Sequence, residues 1–116
     1  MREIKFRAWL KKQKLMRYNV SIHAGQIFTG HCWIPFDNNV ELMQYVGLKD
    51  KNGVKIFEGD IVRCDDEICT IVWDEPYVLY AVSSKENGND SLGDFEPKDL
   101  EVIGNIYENK ELLGWI

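Results

Sequence analysis

The stretch Glu41–Arg63, ELMQYVGLKDKNGVKIFEGDIVR, packs two turn signals and two apolar strand patterns into 23 residues. It leaves no room for a long helix. Asn52-Gly53 supplies the positive backbone φ that a tight turn demands. Gly59-Asp60 marks a second turn: glycine permits a backbone conformation closed to other residues, and an aspartate carboxylate accepts turn N–H bonds. Asn52, Gly53, Gly59 and Asp60 are therefore expected to be structural turn residues. Val40–Val46 fits either period, but Gly47 follows too soon for a helix of ordinary length, so a strand is expected.

The same punctuation runs through the rest of the chain. Ile4–Trp9 alternates, with Ile4, Phe6 and Ala8 on one face and Lys5, Arg7 and Trp9 on the other. A polar loop, Leu10–Lys14, leads to a returning strand, Leu15–Val20, with Met16, Tyr18 and Val20 on one face. Gln26–Thr29 and Cys32–Phe36 read as short extended segments. Further strands are expected at Ile61–Cys64, Ile68–Trp73, Tyr77–Val82 and Leu100–Ile106. Ser83–Gly93 reads as a mobile polar loop. Pro97 suits the first turn of a short helical segment, and Asn109 is a plausible cap for a single turn over Asn109–Leu113. No segment sustains a 3.6-residue apolar period. The expectation is a mainly β fold: a small SH3-like barrel with an N-terminal β-hairpin extension and only short helical turns. With 116 residues, 45% of them apolar, one domain spanning 1–116 and one contiguous core joining Phe6, Ile61, Ile71 and Ile106 are expected. Sub-lobes at 1–39 and 40–116 are an alternative division.

Charge is uneven. Residues 1–20 hold seven basic residues and one acid, whereas residues 21–116 hold seven basic and eighteen acidic ones. The basic set interleaves with aromatics, the physical recipe for single-strand nucleic-acid binding. Lys5, Arg7, Trp9, Lys11, Lys12, Lys14 and Arg17 are its candidate contacts. The competing reading is a solvated, lysine-rich edge hairpin that resists edge-to-edge pairing. The acids at Asp50, Glu58, Asp60, Asp65, Asp66, Glu67, Asp74 and Glu75 mostly fall at turns, where acids are solvated or capping. Nothing in the spacing converges two carboxylates on a cleft.

Cys32, Cys64 and Cys69 are an odd set without a secretory signal, which argues for reduced thiols in a packing role. His23 and His31 stand at no recognised metal spacing. No metal, cofactor or catalytic set is expected. The N-terminus lacks a continuous apolar run and no stretch is apolar enough for a membrane span, so a cytoplasmic protein is expected.

Three ordered segments resemble the YopX family. REIKFRAW (Arg2–Trp9), followed by Lys12–Met16, resembles its N-terminal signature. QYVGLKDKNGVKIFEGDIV (Gln44–Val62) resembles its central motif and GNIYENKELL (Gly104–Leu113) its closing one. Val46 and Lys110 depart from the family's usual Thr and Pro. The resemblance implies a small intracellular protein of phages or of prophages in Gram-positive bacteria, built mainly of β-structure. It brings no catalytic residue. The function expected is a non-enzymatic accessory protein that contacts a host or phage protein. The alternative is a nucleic-acid-binding module using the basic hairpin.

Overall fold

The computed structural model describes residues 3–114. Two compact units divide the chain, residues 1–45 and 46–116.

In the first unit, β1 (Phe6–Leu10) pairs antiparallel with β2 (Leu15–Tyr18) on one side and with the start of β6 (Val40–Lys49) on the other. Alternation places Phe6, Ala8 and Leu10 on one face, in register with Leu42 and Val40. With Val20, Ile27 and Ile34 they form the unit's apolar cluster. A second sheet of three short strands, β3 (Ser21–His23), β4 (Gln26–Phe28) and β5 (Trp33–Pro35), turns Ile27 and Ile34 toward it.

The predicted faces of the hairpin need three corrections. Ile4 lies outside the strand and is exposed. Tyr18 is exposed, although alternation assigned it to the core with Met16 and Val20. The register puts Tyr18 and Met16 opposite Arg7 and Trp9, on the face away from the Phe6–Ala8–Leu10 cluster. Only Val20 reaches that cluster, because the alternation breaks at Asn19, whose φ of 57° lies in the left-handed region that Asn tolerates better than most residues. Asn19 kinks the chain after Tyr18, and Val20 rejoins Phe6 through an N–H···O bond of 3.3 Å. Finally, Arg7 is 2% exposed rather than solvent-facing. It lies opposite Tyr18 and Met43, on the sheet face away from the Phe6–Ala8–Leu10 cluster.

In the second unit, β8 (Asp60–Cys64), β9 (Glu67–Asp74), β10 (Leu79–Ser84) and β11 (Gly88–Ser91) form a meander. β12 (Glu101–Asn105) returns to pair with β8 on the opposite side, with an irregularity between Val102 and Gly104. The result is a five-stranded sheet in the order β11-β10-β9-β8-β12, curled into a half-barrel. Ile56 of β7 (Lys55–Phe57), Val62, Cys69, Ile71, Val82, Leu92 and Leu100 fill its core. The one-core expectation fails: Phe6 packs on the first unit's cluster and Ile71 in this one. Ser83–Gly93 also carries more regular secondary structure than the polar loop expected there. It completes β10, forms β11 and opens a 3₁₀ turn at Leu92–Asp94. Other 3₁₀ turns fall at Glu75–Tyr77, Pro97–Asp99 and Lys110–Leu113. Short turns are the whole helical content among the described residues, as the absent 3.6-residue period predicts.

Candidate functional site

The basic hairpin is the site of the alternative, nucleic-acid reading, and its members differ in burial and pairing. Arg7 is buried, with its guanidinium carbon 5.9 Å from the centroid of the Tyr18 ring. Trp9 is half-buried between Met16 and Glu41 in the strand register. Lys11 forms a 2.9 Å ion pair with Glu41. Lys5 lies 3.8 Å from Glu3 and donates to Asn19 Oδ1 at 3.3 Å. The loop backbone is pinned: the Lys11 and Lys12 N–H groups donate to the Asn39 carbonyl and side-chain oxygens at 2.9 and 2.8 Å. Lys12, Lys14 and Arg17 make no ion pair among the described residues. Arg2, the remaining basic residue of the segment, lies outside them. Of the six described positive charges of the segment, three are thus buried or paired with an acid and three form no ion pair among the described residues.

The turn residues carry structure. Gly53 and Gly59 have φ of 80° and 88°, a region costly for residues with a Cβ. Asp60 is buried and its Oδ2 accepts the Phe57 N–H at 2.8 Å. Gly59 donates to the Ile71 carbonyl and accepts from Ile106 N–H. Asp50 caps its turn as expected of these acids, but it is buried rather than solvated, at 3% exposure. Its Oδ1 accepts from the N–H groups of Asn52 and Val54, and its Oδ2 from Val102 at 2.9 Å. Burial alone pushes this carboxyl up. The bond from Val102 and those from Val54 and Asn52 outweigh it, so its pKa lies below the ordinary 3.8.

The closing motif behaves the same way. Asn105 Oδ1 accepts from Tyr107 and Glu108, and its amide donates to Glu108. Asn109 occupies the cap position of the last turn as expected, but its side chain makes no cap bond; its Oδ1 accepts from Asn105 N–H at 3.1 Å instead. It lies so close to Gly104 that a Cβ there would meet it at 2.7 Å. Cys69 is buried, and burial followed by the nearby Glu67 raises its thiol to about 11. It is protonated at neutral pH, in keeping with a packing role. No group of three or more metal-ligating side chains gathers among the described residues.

Two surfaces escaped the sequence reading. On the second unit, Tyr77 and Val78 are 76% and 72% exposed at the β9–β10 connection. The pattern assigned both to a strand, but β10 begins only at Leu79. The signal was present: an apolar pair directly follows the turn residues Asp74-Glu75-Pro76. Val78 has φ 54° and ψ 51°, a left-handed conformation rare for a β-branched residue. Trp73 and Tyr80 lie beside each other across β9 and β10, their rings 5.0 Å apart. On the first unit, Phe28, Trp33 and His23 share one face of the three-stranded sheet, with Phe28 and Trp33 rings 5.2 Å apart. Period-two alternation in such short segments gave no way to decide which face looked outward.

Fold and site together define a mainly β module in which the most distinctive sequence motifs build turns. No described helix is long and apolar enough to cross a membrane. The chain belongs to the YopX family, whose model, described as YopX protein, matches residues 5–114. Two solved structures share the fold. The crystal structure of protein EF1440 from Enterococcus faecalis is 28% identical, with a TM-score of 0.78, covering 97% of this chain and 99% of that one. Protein yopX from Bacillus subtilis is 22% identical, with a TM-score of 0.63, covering 100% of this chain and 99% of that one. No match is found among curated proteins.

Proposed function

We propose that this chain is a non-enzymatic, phage- or prophage-encoded accessory protein that works in the host cytoplasm by binding another protein. The single observation that carries the reading is the Tyr77–Val78 tip. Two large apolar side chains stand almost fully in water, one of them in a backbone conformation that costs about 1–3 kcal/mol for a residue other than glycine. Folding gains nothing from that arrangement, because a glycine would satisfy the turn with less strain. Contact with a partner gives it a purpose, and aromatic residues are enriched at such contacts. The strand order supports an SH3-like barrel as the scaffold: a four-stranded meander, then 3₁₀ turns, then a fifth strand returning beside the first.

A second reading, nucleic-acid binding, is favoured by the Phe28–Trp33–His23 face. The exposed Trp33 and His23 beside the half-buried Phe28, in a basic unit, suit base stacking. Against it, Lys5 and Lys11 have acidic neighbours and Arg7 is buried.

The test is affinity capture from host cells, with and without nuclease, comparing wild type with Tyr77→Ser. A protein retained after nuclease treatment and lost with the variant is expected. Capture that disappears with nuclease and ignores the variant would transfer the function to the second reading.

A further inference from the structure

The two ends of the five-stranded sheet are treated differently. At β12 the outer backbone is engaged: Val102 N–H donates to Asp50, and the Leu100 carbonyl just before the strand accepts from Lys51 N–H at 3.0 Å. At β11 no described residue hydrogen-bonds to the side away from β10. β11 holds four consecutive residues in unbroken antiparallel register, from Ser84↔Gly88 to Ala81↔Ser91. The strand is short and carries one charge, Asp90, but it has no Pro, no Lys and no bulge to block pairing.

The surroundings select a charge. A shallow groove of about 460 Å³ runs beside this edge, lined by Asp74, Tyr77, Leu79, Asn89 and Asp90 among others. No lysine or arginine lines it. Asp74 accepts from Asn89 at 3.2 Å, and neither Asp74 nor Asp90 forms an ion pair among the described residues. Residues 46–116 carry seven basic and sixteen acidic side chains, a net of −9. An acidic strand arriving here would meet unrelieved like charge, and a neutral one would draw no electrostatic gain from Asp74 and Asp90. A basic one would draw that gain.

We infer that the β11 edge captures an extended, basic segment of a partner protein by strand addition. Backbone hydrogen bonds to Gly88–Ser91 supply the pairing. Lysine or arginine side chains of the partner meet Asp90 and Asp74, and an apolar residue packs on Tyr77. This assignment rests on the protein-binding reading above and specifies the chemistry of the partner.

A synthetic peptide of alternating lysine and valine serves as probe, with a glutamate–valine peptide as control. Binding is followed by amide chemical shifts and hydrogen exchange of the full chain. The lysine peptide is expected to perturb and protect Gly88–Ser91, with the glutamate peptide inert. Affinity should fall about tenfold for Asp90→Lys and by less for Asp90→Asn, both exposed substitutions. Methylating alternate backbone nitrogens of the peptide should abolish binding, because strand addition needs those donors. Absence of binding, perturbations mapping elsewhere, or indifference to methylation would each overturn the inference. If the edge fails but Tyr77-dependent, nuclease-resistant capture persists, the protein-binding reading stands with a different partner chemistry. If both fail, that reading falls as well.

Discussion

The two units carry the same number of basic residues, seven each, but three acids in residues 1–45 against sixteen in residues 46–116. They differ just as sharply in which charges they bury. The first unit encloses Arg7, and the second encloses Asp50 and Asp60. The acids inside the second unit accept from backbone N–H groups, and for Asp50 those bonds favour the ionised carboxylate in spite of its burial. The difference teaches that charge counts along the sequence do not map onto surface potential. The basic segment loses a cation to the interior and has two others beside acids. The acidic segment spends part of its charge on organising its own loops.

Substitutions in the two cores test that contrast most strongly. Ile71→Ala and Ile27→Ala each remove a fully buried side chain from a different cluster. Each is expected to cost about 2–5 kcal/mol in denaturant unfolding. A near-zero shift in midpoint for either would break the division into two cores.

Asp50→Ala comes next, at about 3 kcal/mol, since it strips the acceptor from three N–H groups. The pH dependence follows from its lowered pKa. The ionised carboxylate is the form the native state favours, so its stabilisation is fully present above the ordinary value of 3.8 and is lost as pH falls through the depressed native value. Asp50→Asn should flatten this part of the acid-unfolding curve. An unchanged acid limb would show that the clamp contributes no pH dependence.

Val78→Gly should move the other way and stabilise the fold by about 1 kcal/mol, by relieving a left-handed β-branched residue. Thermal unfolding measures this directly. Destabilisation would mean that the Val78 side chain supports the fold, removing the strongest support for the Tyr77–Val78 tip as a contact surface.

The smallest effect is expected at the hairpin tip. Lys12→Glu with Lys14→Glu should change stability by less than about 0.5 kcal/mol, because both side chains are exposed and unpaired. Neither wild type nor variant should bind single- or double-stranded DNA or RNA appreciably at physiological salt. Salt-sensitive binding lost in the double variant would restore the hairpin as a nucleic-acid site.

What the chain determined locally was legible from residues alone. Asn52-Gly53 and Gly59-Asp60 mark their turns because positive φ is a property of one or two residues. Pro97 opens its 3₁₀ turn because its ring locks φ in the helical range, and alternation placed Phe6 and Ala8 on the core face of β1. Tertiary structure decided the rest. Whether Arg7 faces water depends on what covers the second face of its sheet. Whether Asp50 is a solvated turn acid or a buried clamp depends on Val102, 52 residues away. The exposure of Tyr77 and Val78 and the open edge of β11 depend on where β10 starts and on which strands lie at the ends of the sheet. Local sequence fixes backbone conformation through sterics. Burial and pairing are set by residues distant along the chain, and no short window of sequence contains them.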